Sequence, residues 1–279
     1  MRSAYTEAVE TAREYYNSND ADNFYHTVWG GEDIHVGLYQ HREEPVFDAS
    51  RRTVATMAEA VPGLDENSRV LDIGSGFGGS ARYLAKTFGC PVTGLNISEK
   101  ENERGRAANR EQGVDDLVDI IDGSFDDLPF DDESFDVVWS QDAILHSGDR
   151  RRVLEEAVRV LKPGGYFVFT DPMQADDCPE GVLEPILARI HLESLGSPGF
   201  YREALGELDM EPVSFSDHSD MIAAHYGRVY DVLTERESEV SKVVSQGYIE
   251  RMKKGLMHWV EGGRNGHLAW GIFLFHKPR

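Results

Sequence analysis

The segment "VLDIGSGFGGSARYLA", residues 70–85, constrains the fold more than any other part of the chain. A short apolar run ends in Asp72 and three glycines, Gly74, Gly76 and Gly79, and a helical pattern begins at once. Glycines let the backbone turn tightly and approach a ligand closely. The start of the helix that follows offers free N–H groups. This is the grammar of a strand, a loop and a helix in a parallel α/β sheet.

Alone, the loop does not choose between a nicotinamide or flavin dinucleotide and S-adenosylmethionine, and a tight turn with no ligand is the plain alternative. Two details separate these. Asp72 stands two residues before the first glycine, where it would repel a pyrophosphate but suits the α-ammonium of a methionine moiety. The second strand, "PVTGLNIS", ends at Asn96, where a dinucleotide fold would carry a ribose-binding acid. An amide there can accept from one ribose hydroxyl and donate to the other.

Short apolar strands keep alternating with helices: "LVDIIDGS", "FDVVWSQ" and "YFVFTDP" follow, separated by a helix, "DRRRVLEEAVRVLKPGG", and a turn. Later come "MEPVSFS" and a long last strand, "HLAWGIFLFHKP". The expectation is an α/β fold, a doubly wound, mostly parallel seven-stranded sheet with N-terminal helices and a helical cap. Residues 1–66 read as N-terminal helices and a substrate-side lid, with "FYHTVWGGEDIHVGLY" as a loop rich in aromatics. Residues 67–175 read as the nucleotide-binding core, and 176–279 as the remaining strands plus a cap insertion at about 217–266. That insertion is too long for a turn between two strands.

The formal charge of −22, from 50 acids and 28 bases, argues against a phosphate-binding face for nucleic acid. No run is long and apolar enough for a membrane span, and the first residues lack the apolar core of a signal peptide. A cytoplasmic protein is expected, as a monomer or small homo-oligomer. Cys90 and Cys178 lie far apart with no histidine at ligand spacing, so neither a metal site nor a disulfide is expected. The acidic excess spreads along the whole chain, which suits a cytosol rich in salt; an ordinary acidic protein is the alternative.

"VLDIGSGFGGSARYLA", "VTGLNIS", "GSFDDLPFDDESFDVVWSQDAILHS" and "VLKPGGYFVFTDPM" resemble the successive motifs of class I S-adenosylmethionine-dependent methyltransferases, whose fold is Rossmann-like. "WSQDAILHS", "TDPM" and "GLMHWVEGGRNGHLAWGIFLF" resemble, nearly end to end, the sarcosine/dimethylglycine N-methyltransferases that make glycine betaine. "DAILH" is also similar to a stretch of the phosphoethanolamine N-methyltransferases. The resemblance implies that Asp72, Gly74, Ser75 and Gly76 hold the methionine end of S-adenosylmethionine. It implies Asn96 and Ile97 at the ribose, and Gly123, Ser124 and Phe125 over the adenine. Asn96 and Ser124 depart from the commoner pattern, which has an acid at each place.

Gln141, Asp142 and His146 fall where the fourth strand ends, beside the glycines, and therefore face the cofactor and its methyl group. N-methylation needs a free amine lone pair, so a proton must be removed. His146 and Asp142 are candidates to handle it. The resemblance to the phosphoethanolamine enzymes implies a tyrosine partner for His146, and Tyr16 is the best match. An amine substrate also wants aromatic faces and a carboxylate anchor. Tyr25, Trp29, Tyr39 and Tyr226 are candidates for the first, and Tyr201 with Arg202 for the second. Met173 is a candidate contact for the substrate methyl groups, and His258 and Trp259 stay without a distinct role. The implied activity is methyl transfer to a small-molecule amine. Phosphoethanolamine methylation, carbon methylation of a lipid and a non-catalytic binding module are the alternatives.

Overall fold

The computed structural model describes residues 7–190 and 192–279. In chain order the helices are α1 (Glu7–Asn17), α2 (Asn19–Val28), α3 (Val46–Ala60), α4 (Gly79–Phe88), α5 (Glu99–Glu111), α6 (Arg150–Val160), α7 (Glu184–Ile190), α8 (Pro198–Glu207), α9 (Asp220–Glu235), α10 (Glu237–Val240) and α11 (Gln246–Arg264). The strands are β1 (Val70–Ile73), β2 (Val92–Asn96), β3 (Val118–Asp122), β4 (Phe135–Gln141), β5 (Leu161–Thr170), β6 (Met173–Gln174), β7 (Glu211–Asp217), β8 (Leu268–Ala269) and β9 (Gly271–His276).

Among the described residues the main sheet has seven strands in the order β3-β2-β1-β4-β5-β9-β7. β1 to β5 run parallel, and β9 is antiparallel to both its neighbours. The order reverses between β1 and β4, so their carboxyl ends open a crevice. The expected doubly wound, mostly parallel seven-stranded sheet is what the chain forms.

The strands alternate their side chains between two cores, as a period of two requires. Val70, Val92, Val137, Trp139 and Val168 face one side, with Ala81 and Leu84 of α4. Leu71, Ile73, Val138, Phe167 and Phe169 face the other, with Val153 and Leu154 of α6 and Tyr201 of α8. A third core ties the cap to the N-terminal helices: Phe24, Val28 and Trp29 pack with Val229, Leu233, Ile249 and Met252.

Two expectations from pattern need correction. The aromatic segment beginning at Phe24 is not all loop, because α2 runs to Val28. Ser18 caps that helix by accepting from the Ala21 N–H, and Phe24 and Val28, four apart, share the face turned to the core. The long last strand is also two strands. It breaks at Trp270, where the chain leaves the main sheet so that β8 can pair with β6 in a small ribbon. The break carries the Trp270 indole N–H to a carboxylate oxygen of Asp142, 2.8 Å away. Residues 1–6, where the first helical pattern begins, lie outside the described residues.

Candidate active site

Two cavities meet at the carboxyl edge of β1, β2 and β4. The smaller is a cleft lined by Gly74, Gly76, Asn96, Ile97, Gly123, Ser124, Phe125 and Gln141. Its floor is backbone. Gly74 has φ of 79°, and a Cβ there would lie 2.3 Å from the Cβ of Ala143, so the loop can meet the β4 turn only as glycine. Asp72 is buried beneath the loop, and its carboxyl is pushed up to about 7 by burial, against the pull of His35.

Several polar atoms around this cleft are buried without a partner: Ser75 Oγ, Gln141 Nε2 and Glu101 Oε1. Buried polar groups are otherwise almost always bonded, so these mark places for a polar ligand. Gln141 Oε1 accepts from Ser80 Oγ at 2.5 Å and Trp139 Nε1 at 2.9 Å, which fixes the amide with its N–H groups free. One N–H of the Asn96 amide donates to Glu101, at 2.9 Å, which leaves its second N–H and its oxygen for the ribose role the sequence suggested. Glu101, in the first turn of α5, brings an acid to this edge of the cleft. Burial pushes its carboxyl up to about 7, although the Asn96 bond pulls the other way. Sequence reasoning looked for that acid on the strand end and missed it. The signal was Glu101 in the first turn of α5, where carboxylates are favoured.

After β4 the chain turns sharply. Asp142 adopts φ of 50°, a left-handed conformation that a non-glycine residue takes at a cost, and it lines both cavities. Its carboxylate is fully engaged. One oxygen accepts from Val36 N–H at 2.7 Å, and the other from Thr170 Oγ1 at 2.7 Å and Trp270 Nε1 at 2.8 Å. Burial raises its pKa while His35 and these donors oppose the shift. Asp142 thus fastens the 31–38 strap, β5 and the β8–β9 corner at one point. Three of the carboxylate's about four acceptor positions are thus taken. A one-turn 3₁₀ helix, Ile144–His146, follows.

The larger cavity, about 830 Å³, lies between α1, α2, α7, α9, α11 and that turn. Tyr16, Tyr25, Trp29, His146, Tyr226, His258 and Trp259 line it. Tyr16 Oη and His146 Nε2 are 2.8 Å apart, which brings together two residues 130 positions apart in the chain. Burial pushes the imidazole down to about 4, with Arg150 and Arg189 acting the same way. His146 is therefore neutral at neutral pH, and in the tautomer with the proton on Nδ1 its Nε2 accepts a hydrogen bond from the Tyr16 hydroxyl. Tyr226 stacks on Trp259 at 4.8 Å between ring centres, and Tyr25 leans on Trp29 at 5.2 Å.

The cavity also holds cations. Arg189, Arg251 and Lys254 line it and have no carboxylate partner among the described residues, in a chain of 50 acids. Arg189 donates to Met252 Sδ at 2.9 Å and crosses α11 over Gly255, where a Cβ would lie 2.3 Å from its Nε. Gly255 is what lets the guanidinium reach inward.

The remaining expected residues lie elsewhere. Arg202 is exposed, outside both cavities, with its guanidinium 4.9 Å from the ring centre of Phe215 on β7. Tyr201 is fully buried and bonded to Asp171. Met173 is buried in the β6–β8 ribbon, and the Tyr39 hydroxyl bonds His225 Nδ1 at 3.1 Å, both away from the cavity lining. The sequence segment "SPGFYREAL" put Tyr201 and Arg202 on a helix, but α8 turns its polar side away from the cap.

The methyltransferase domain family model matches residues 71–169. A sarcosine/dimethylglycine N-methyltransferase from Halorhodospira halochloris is 60% identical over 97% of both chains. One from Aphanothece halophytica is 54% identical, covering 97% of this chain and 98% of its own. Among solved structures, a protein from Galdieria sulphuraria, provisionally described as a sarcosine dimethylglycine methyltransferase, superposes with a TM-score of 0.90. It is 41% identical, over 95% of this chain and 99% of that one.

Proposed function

Because the chain belongs to the sarcosine/dimethylglycine N-methyltransferase family, we propose a residue-level account of how it methylates these amines. The enzyme is an S-adenosylmethionine-dependent N-methyltransferase that converts sarcosine and dimethylglycine to glycine betaine. The observation that carries the account is a cavity joining a guanidinium with no carboxylate partner among the described residues, aromatic faces and the Tyr16–His146 pair beside the glycine-loop cleft.

The orphaned polar atoms fit the cofactor. Asp72 suits the ammonium and Ser75 the methionine carboxylate; Glu101 and the free oxygen of Asn96 suit the ribose hydroxyls. Gly123, Ser124 and Phe125 cover the adenine, with Ile97 beside it and Gln141 aimed at the cleft. When bound, S-adenosylmethionine supplies the electrophilic methyl group. The chain's own residues do the rest. Arg189 holds the substrate carboxylate by a charge-assisted bond, the role the sequence had given to Arg202. Tyr25, Trp29, Tyr226 and Trp259 present faces to the cationic nitrogen, each worth about 0.5–2 kcal/mol. A proton leaving the amine passes to the Tyr16 oxygen as the Tyr16 proton moves to His146 Nε2. Alignment and exclusion of water account for most of the acceleration.

Residues 1–66 serve as lid, 67–175 as cofactor core and 176–279 as strands and cap. No helix among the described residues is long and apolar enough to cross a membrane. The enzyme works in the cytoplasm as a monomer or small homo-oligomer, and its product serves as an osmolyte, in keeping with a charge of −22.

Methyl-labelled S-adenosylmethionine, offered with glycine, sarcosine, dimethylglycine or phosphoethanolamine, tests this. Labelled betaine from sarcosine and dimethylglycine is expected, and none from any amino acid would end it. Phosphoethanolamine belongs in the panel because Arg189, Arg251 and Lys254 would also suit a phosphate.

A further inference from the structure

Tyr201 and Asp171 lie outside both cavities, and nothing so far uses them. Asp171 follows β5 and is fully buried, a costly place for a carboxylate. One of its oxygens accepts from the Leu145 N–H at 2.9 Å, and the other from the Tyr201 hydroxyl at 2.6 Å. Leu145 is the middle residue of the Ile144–His146 turn and the neighbour of His146. The first N–H groups of such a turn have no partner within it, and Asp171 provides one. Tyr201 is held in turn. Its ring meets Phe169 at 5.1 Å, and Gly196 packs so closely on it that an added Cβ would lie 2.8 Å away. Arg150 of α6 closes the arrangement by donating to the Leu145 carbonyl at 3.3 Å.

We propose that Tyr201 and Asp171 are positioning residues for the methyl transfer: through Leu145 they fix the turn that presents His146 to Tyr16. The proposal rests on the role given to His146 above. A buried carboxylate tied to one backbone N–H and one phenol orients rather than packs, since an apolar pair would fill the same space without the desolvation cost. The groups facing Asp171 are Tyr201 from α8, Arg150 from α6, Asp142 at the end of β4 and Tyr226 from α9. Burial pushes its carboxyl up to about 7, while Tyr201, Leu145 and Arg150 pull it down. As a carboxylate it accepts both donors. Once protonated, its own O–H competes for one of those places, and the turn loosens. Turnover should therefore fall on the acid side of neutrality. His146, at about 4, cannot cause a limb there. Asp72 and Glu101 act through cofactor affinity, which saturation removes from kcat.

The test is kcat against pH with both substrates saturating, for the wild type, Tyr201→Phe, Asp171→Asn, His146→Ala and the Tyr201→Phe/His146→Ala double variant. Tyr201→Phe keeps the ring and removes one donor to a carboxylate. It should lower kcat about tenfold and move the acid limb up by about one pH unit, with KM for S-adenosylmethionine little changed. Asp171→Asn keeps an oxygen for Leu145 and reverses the Tyr201 bond, so it should stay active and lose the limb. The double variant should be no slower than His146→Ala, because Tyr201 acts through His146. A slowed His146→Ala together with an unshifted Tyr201→Phe limb, or with additive losses in the double variant, overturns the positioning role alone. Unchanged turnover in His146→Ala overturns the role of His146 and this proposal with it.

Discussion

The two cavities share Ala12, Tyr16, Ile34, Asp142 and His146 but are built differently. The cofactor cleft is mostly glycines, strand ends and the first turn of α5 from residues 74–143, closed on one side by Val9, Ala12, Tyr16 and Ile34. The substrate cavity is a wall of side chains from five helices, from Thr11 to Trp259. A backbone site depends on conformation and on a few buried polar atoms. A side-chain site depends on which helices meet. Substitutions on the cap should therefore change turnover and substrate affinity with little effect on the cofactor, and substitutions in the cleft should do the reverse.

The largest expected effect lies where the two meet. Tyr16→Phe removes the hydroxyl that joins the amine to His146 Nε2. General acid–base groups contribute about 10²–10⁴-fold, so kcat should fall by about 10² or more while the cofactor Kd stays within about twofold. Single-turnover rates and a binding titration on the same sample check this. A lost cofactor affinity would mean that Tyr16, which lines both cavities, also holds the cofactor, and would break the division.

Arg189→Met comes next. It keeps the length of the side chain and removes a charge-assisted bond to the substrate carboxylate, worth about 1.5–3 kcal/mol. KM for dimethylglycine should rise about tenfold to a hundredfold, with the S-adenosylmethionine Kd unchanged.

The cleft gives the converse case. Glu101 has its carboxyl raised to about 7 by burial, with one oxygen left without a partner, and in the proposed ribose role its ionised form would be the acceptor. Protonation therefore weakens cofactor binding, so affinity should fall as the pH drops below about 7. Asp72, also near 7, adds its own share through the methionine ammonium. In Glu101→Gln the Glu101 contribution disappears, and the slope of log Kd against pH between 5 and 6 should fall by about one unit. Isothermal titration across that range measures it. A slope equal to the wild type would take Glu101 out of the site.

The same contrast explains what the sequence made legible. Asp72, Gly74, Gly76, Asn96 and Gln141 could be placed because each sits at a strand end, and strand ends in a parallel sheet share one edge. The Tyr16–His146 pairing was reachable only through resemblance, since no local pattern links residues 130 positions apart. Glu101 was hidden because its carboxylate reaches back from a helix to a strand end. Arg189 was hidden because its value depends on Gly255 of another helix, which no reading of α7 alone can supply. Arg202 looked as good as Arg189 in the sequence. Both are arginines on short helices after β5, and only the packing of α7 and α8 separates them.

That pair gives the smallest effect and the sharpest control. Arg202 is exposed on α8 and lines neither cavity, with its guanidinium on Phe215 of the edge strand β7. An exposed cation–π contact is worth about 0.5–1 kcal/mol, so Arg202→Ala should cost a little stability. KM for dimethylglycine should stay within about twofold of the wild type, against the tenfold or more expected for Arg189→Met. Both variants remove one positive charge, so any effect of net charge on an acidic protein cancels between them. Equal KM values would mean that long-range charge governs substrate capture. A larger rise for Arg202→Ala would return the carboxylate anchor to α8 and require that helix to turn toward the cap when substrate binds.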